Sequence, residues 1–209
     1  LQDNLDSVSL SANWMWPCRN EGEDARLYKA VKAVSEFSIE LGINVPTGKD
    51  SLSMKQKYSN EEVISPGTVV ISAAAHCNDI TKVVEPVLQK SGMNKIYYIN
   101  LSNDDFKLGG SSFAQTQNKI GSATPTIKDA AKFKNAFNTI QQLIKEDKIL
   151  AGHDISAGGM LTTLLELCFS QENLGLNIDI SNLDENDVIK VLFAENSGII
   201  FQSISEDVP

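Results

Sequence analysis

Apolar positions three and four residues apart mark the clearest element, a helix from Glu21 to Gly42. Leu27, Ala30, Val31, Val34, Phe37 and Leu41 form its apolar face, and Arg26, Lys29, Lys32, Glu36 and Glu40 the solvated one. Glu21, Glu23 and Asp24 favour its start, and Gly42 its stop. A second long helix is predicted over Ile127 to Lys148, with Phe133, Phe137, Ile140, Leu143 and Ile144 on one side. Leu161 to Phe169 reads as a third, and Asn186 to Leu192 as a short one. Thr68 to Ala75 has the β-branched start of a buried strand. Lys95 to Leu101, Ile149 to Ala151 and Ile199 to Ile204 read as strands, and Leu176 to Ile180 alternates like one. Residues 1–10 are mixed, a short helix end or a strand. Leu10 to Cys18, with two Trp, an Asn and a Pro, reads as a packed loop, its Trp residues as core or interface plugs. Lys55 to Ser65 is charged and turn-like and is expected to project as a hairpin end.

Strands and helices interleave, with polar glycine turns at strand-to-helix junctions. That predicts an α/β or α+β fold whose ligand chemistry sits in loops. A domain boundary is expected near residue 90, dividing 1–90 from 91–209. The 209 residues carry a formal net charge of −9 and no basic run, which argues against nucleic acid as a partner. Acidity does not exclude a phosphate ligand, because glycine loops, helix ends and Mg²⁺ offset local charge. Cys18, Cys77 and Cys168 are odd in number and far apart, which fits a reducing compartment rather than a disulfide framework. No apolar run is long enough to span a bilayer. A first residue of Leu and a strand-like run just before Pro209 suggest a piece of something longer.

The densest chemistry lies in Ala151 to Met160, where one His, one Asp, one Ser and two adjacent Gly precede a helix. Asp154 and Ser156 can place oxygens at the first turn of that helix, which has free N–H groups and favours anions. A carboxylate there could hold Mg²⁺. The plainer alternative is a tight turn with Ser156 as the cap. Thr47 to Met54 is read as a polar glycine turn, in which Lys49 could meet a phosphate, Asp50 a metal and Ser51 a substrate oxygen. It is not a Walker A loop, since the required glycine spacing is missing. Ser11 and Asn13 offer further polar groups, and Gly109-Gly110-Ser111-Ser112 is a weaker second anion site. His76 and Cys77 are read as structural. No Ser-His-Asp, Cys-His or metal-cluster arrangement is visible.

Four motifs then combine. Leu-Ser-Ala-Asn-Trp-Met at 10–15, Gly-Glu-Asp-Ala-x-Leu-Tyr-x-Ala-Val-Lys-Ala-Val at 22–34, Gly-Lys-Asp-Ser-x-Ser-Met-Lys at 48–55 and His-Asp-x-Ser-x-Gly-Gly at 153–159 occur in this order. Together they resemble the large single-chain phosphoribosylformylglycinamidine synthases, nearly end to end. The resemblance implies a two-subdomain unit like aminoimidazole ribonucleotide synthetase, truncated at both ends. It would be the second synthetase repeat of a longer cytoplasmic enzyme that also carries a glutaminase. It implies ATP phosphorylating the formamide oxygen of formylglycinamide ribonucleotide, and ammonia from glutamine displacing phosphate to give the amidine. Mg²⁺ offsets phosphate charge in such a transfer.

By the same resemblance, Asp154 matches a Mg²⁺-binding aspartate and Ser156 a nucleotide-contacting serine. Their site would be an auxiliary one that holds ADP, with its other metal ligands upstream of Leu1. Gly48, Lys49 and Ser51 align with a glycine near ATP, a metal-binding asparagine and a substrate-binding serine. Lys49 departs from that pattern, and a lysine suits a phosphate better than a metal. Ser11 falls near an ATP-contacting aspartate of the small form, and Ala157 stands where relatives carry Asp. Leu108 to Ser112 and Glu195 match family segments without an assigned role, and no residue is assigned a catalytic one. Two alternatives stay open: a nucleotide-holding half without chemistry of its own, and a stand-alone aminoimidazole ribonucleotide or selenophosphate synthetase relative.

Overall fold

The computed structural model describes residues 1, 4–90 and 95–204. The chain divides into two compact units, Leu1–Asn78 and Asp79–Pro209. In the first, a 3-10 turn at Asn4–Ser7 leads into β1 (Ser9–Met15), followed by α1 (Glu23–Leu41) and β2 (Asn44–Ser51). β1 and β2 pair in parallel, so α1 is the crossover of a βαβ unit. Gly42 ends α1 at φ 77°, its N–H returning to the carbonyls of Ser38 and Ile39. β3 (Lys55–Lys57) and β4 (Glu62–Ile64) form the expected hairpin. β5 (Thr68–Ala74) pairs antiparallel with β1, giving the order β2-β1-β5.

Three expectations change in this unit. The stretch expected as a Trp-rich loop is the central strand β1. Leu10, Ala12 and Trp14 do alternate with Ser9, Ser11 and Asn13, but a small Ala and a Met at 15 blur the pattern. Trp16 is buried as expected of a plug, with the Arg26 guanidinium 5.6 Å from its ring centre. The polar glycine turn expected at 47–54 is instead mostly strand β2. β5 is a strand but not a buried one: Val70 and Ile71, on opposite faces of this edge strand, are 47% and 40% exposed.

The second unit centres on an antiparallel sheet, β6-β8-β7, built from Lys95–Asn100, Gly198–Ser203 and Ile149–Asp154. Its helices are α2 (Ser112–Thr116), α3 (Ala130–Lys145), α4 (Gly159–Phe169) and α5 (Val188–Phe193). Asp129 and Asp187 cap α3 and α5, each carboxylate accepting backbone N–H groups of the first turn. Leu88, Ala151, Met160, Leu167, Val191 and Ile200 make one buried core between sheet and helices. Phe201 is buried on β8 and stacks on Tyr97 at 5.4 Å. Leu176–Ile180, expected as a strand, joins no sheet. Its alternation has another cause: Leu176, Ile178 and Ile180 line a groove of about 500 Å³ together with Leu161, Leu165 and Cys168 of α4. No helix among the described residues is long and apolar enough to cross a membrane. The fold is mixed α/β, as the interleaved pattern implies.

Candidate functional site

β7 runs three residues further than its apolar pattern predicts and delivers Asp154 at its end, paired with Ile199. Ile155 is buried, and its N–H donates to the Gly198 carbonyl at 2.8 Å. The chain then turns through Ser156 and Ala157 into Gly158 and Gly159, at φ 90° and 72°. Both glycines are required twice over. L-residues rarely adopt that backbone conformation. A Cβ on Gly158 would also strike Thr162, and one on Gly159 would lie 2.8 Å from the Leu192 carbonyl oxygen.

Ser156 is exposed and does not cap the helix, so the plainer reading of that serine is overturned. The N-cap is Gly158, which has no side chain to offer. The acceptor comes from elsewhere. Glu195 Oε1 accepts the Gly158 N–H at 2.8 Å and the Ser112 N–H at 2.7 Å. Ser111 caps α2 by accepting from Ala114 N. The donors of the Gly109–Ser112 turn, expected as a weak anion site, are therefore engaged inside the protein.

The Asp154 carboxylate points outward, its side chain 71% exposed, while Thr163 Oγ1 donates to the Asp154 carbonyl at 3.1 Å. His153 lies between two carboxylates, with Nδ1 3.2 Å from Asp154 Oδ1 and Nε2 3.1 Å from Glu166 Oε2. Gly152, His153 and Asp154 edge a cavity of about 340 Å³ whose other walls include Ile140, Ile144 and Phe201. Mg²⁺ takes near-octahedral oxygen coordination. Among the described residues no group of three or more His, Cys, Asp or Glu is placed to hold a metal. Asp154 can contribute one oxygen, and these residues do not by themselves form the cage.

The second candidate stretch lies in the first unit. On β2 the side chains alternate, so Lys49 and Ser51 share one face and Asp50 points to the other. Lys49 Nζ donates to Ser51 Oγ at 2.6 Å on the exposed surface. Gly48 pairs with Ala12, and a Cβ there would run into the Ala12 carbonyl oxygen. Close backbone approach is enough to require that glycine. Ser11 and Asn13 lie on β1, opposite Thr47 and Lys49.

Residues 94–208, more than half of the chain, match the family model described as AIR synthase related protein, C-terminal domain. The chain belongs to the AIR synthase related proteins. Residues 1–76 match a second model, the FGAR-AT PurM_N-like domain. This AIR synthase related chain is 41% identical, over 95% of its length, to a probable phosphoribosylformylglycinamidine synthase of Caenorhabditis elegans. It is 41% identical, again over 95% of its length, to a probable chloroplastic/mitochondrial synthase of that name from Arabidopsis thaliana. It spans only 16% and 14% of those two proteins. Among solved structures it resembles Thermotoga maritima PurL complexed with FGAR, with a TM-score of 0.62 and 16% identity, over 95% of this chain and 32% of that one. At that identity the likeness shows the fold. A HypE-HypF complex shares it at a TM-score of 0.59 and 15% identity, over 95% of this chain and 64% of that one.

In this AIR synthase related chain, sequence reasoning placed Glu195 in a family segment but gave it no role. Glu195 acts across 37 and 83 residues of sequence, and no local pattern announces that. Its single local signal is an acidic residue between buried Ala194 and buried Asn196, just before a buried strand.

Proposed function

We propose that the chain is part of an ATP- and glutamine-dependent phosphoribosylformylglycinamidine synthase, a carbon–nitrogen ligase of purine biosynthesis. The observation that carries this is the 41% identity along 95% of the chain to two proteins so named. On this reading the chain holds the two subdomains of a synthetase unit, expected as 1–90 and 91–209; the family matches at 1–76 and 94–208 support two subdomains, and the compact units Leu1–Asn78 and Asp79–Pro209 favour a division nearer residue 78. Asp154 supplies one oxygen to a Mg²⁺ whose remaining ligands lie elsewhere in the longer protein. Ser156, beside it and exposed, contacts the nucleotide, ATP or ADP. Gly48 and Lys49 face nucleotide phosphate, and Ser51 faces formylglycinamide ribonucleotide; the exposure of Lys49 and its bond to Ser51 leave both within reach of a ligand. The glutaminase and the other synthetase repeat belong to the remaining parts of the protein. A cytoplasmic location fits three unbridged cysteines, whereas the Arabidopsis relative is named for an organelle.

Asp154→Asn in the full-length protein tests the reading, with bound nucleotide and glutamine-dependent amidine formation measured side by side. Loss of nucleotide with normal turnover by the folded fraction is expected for an auxiliary nucleotide clamp. Retained nucleotide with lost turnover would move Asp154 into the chemistry and overturn the auxiliary assignment.

A further inference from the structure

Every backbone donor at a helix start needs an acceptor, and buried ones need it inside the protein. At the start of α4, Gly159 N donates to the Ser156 carbonyl at 3.0 Å, and Gly158 N donates to Glu195 Oε1. At the start of α2, the Ala114 and Gln115 N–H groups are served by Ser111, and Ser112 N donates to the same Glu195 oxygen. One carboxylate oxygen thus closes two turns that are 46 residues apart in sequence, counted from Ser112 to Gly158.

Glu195 is itself held on both sides. Asn196, 1% exposed, donates through Nδ2 to Ser102 Oγ at 3.0 Å and to the Asp105 carbonyl at 3.0 Å. Two residues before Glu195, Phe193 stacks on Phe113 of α2 at 4.6 Å. Gly159 of α4 packs against the backbone of Leu192 and Phe193 so closely that a Cβ would not fit. The segment Leu192–Asn196 is therefore a common seat for the two helix starts, and Glu195 is its polar bond to each.

We propose that Glu195 is a positioning residue: it locks the Asp154–Gly159 turn to the Gly109–Ser112 turn, so that nucleotide holding at Asp154 and Ser156 depends on a side chain that does not touch the nucleotide. The carboxylate fills the place an external phosphate would take at the Gly158 amide, so the ligand meets the outward side chains of Asp154 and Ser156 instead. The nucleotide part rests on the function proposed above; the locking of the two turns does not.

The test uses the full-length protein with Glu195→Gln, Glu195→Asp and Glu195→Ala. Two things are measured: peptide-resolved amide exchange over 108–114 and 154–161, and ADP affinity of the folded protein. Gln keeps a neutral acceptor of the same reach, and a charged acceptor makes the stronger bond; exchange in both turns should rise together by about tenfold. Asp is one methylene short of the two amides and should open both turns further, and Ala further still, while α3 keeps its protection. ADP affinity should fall in the same order, Gln least and Ala most, at unchanged melting temperature for Gln. If Ala prevents folding, the Gln and Asp pair still gives the ordered result. Opening of only one turn, or of neither, overturns the lock. Opening of both with unaltered ADP affinity overturns the positioning role. A wild-type protein with no measurable ADP affinity, yet with coupled opening of the two turns, would instead refute the nucleotide reading and leave the lock standing.

Discussion

Gly48 and the Gly158-Gly159 pair look alike in sequence, each beside Ser, Asp and a basic or ring nitrogen group. The backbone uses them differently. Gly48 sits in regular strand, where the missing Cβ makes room for the Ala12 carbonyl. Gly158 and Gly159 sit at φ 90° and 72°, where they make the strand-to-helix turn itself. A glycine next to polar residues is therefore no sign of a ligand loop until its backbone angle is known. Of the two stretches, only 154–159 has the turn that its composition suggests.

The largest effect should come from testing that difference directly. Gly159→Ala combines a left-handed backbone with a backbone collision at 2.8 Å, and should cost about 3 kcal/mol of stability. Gly48→Ala keeps an ordinary backbone angle but places its Cβ closer still, against the Ala12 carbonyl oxygen, so strand backbone must move to admit it, and it should cost about 2 kcal/mol. Denaturant melts of the full-length protein rank the two. A greater loss at 48 than at 159 would mean that the β1–β2 contact, not the turn, is the less forgiving of the pair.

Helices α1 and α3 were legible because a single period ran through each, β6 and β8 as apolar runs, and the 55–64 hairpin as a charged, turn-like stretch, whereas β7 was read for only its first three residues. β1 was not, because its alternating side chains differ widely in size and its aromatic content mimics a plug. Leu176–Ile180 shows the converse, since alternation reports one covered face and a helix groove can cover it as well as a sheet. Asp154 and Ser156 were legible as outward polar groups at a junction. The role of Glu195 was not, because a carboxylate that serves amides 37 and 83 residues away leaves no periodic trace.

The two units also differ in where they place charge. The first has its ion pairs at the surface, as with Lys32 and Glu36. The second buries Asp104 completely, with Lys107 and Lys128 each at 2.6 Å and Thr126 N at 3.1 Å. Burial alone would raise this carboxyl, but the lysine and backbone hydrogen bonds outweigh it and hold it well below the usual carboxylate range. A lowered folded pKa stabilises above the ordinary carboxylate value of about 4, and that contribution fades as pH falls from there toward the folded value. Asp104→Asn should therefore be less stable than wild type at neutral pH, with the gap narrowing below about pH 4. Melting temperatures across pH 2.5 to 7, as a roughly set range around that value, read this out. A gap that stays constant with pH would mean that Asp104 contributes shape rather than charge.

The smallest effects belong to the exposed candidates themselves, and here the two stretches should part again. Lys49→Met and Asp154→Asn remove groups at the surface, so without ligand each should stay within about 0.5 kcal/mol of wild type. With ADP present the expectation diverges. A ligand that binds only the folded state adds about 2.7 kcal/mol at a hundred times its Kd. Wild type and Lys49→Met should both gain that stabilisation if the ADP held at Asp154 and Ser156 is separate from the nucleotide whose phosphate Gly48 and Lys49 are proposed to face. Asp154→Asn should lose most of it while melting normally on its own. If Lys49→Met also loses the ADP effect, the phosphate that Gly48 and Lys49 are proposed to face is that of ADP, and Asp154 and Ser156 are not sufficient to hold it.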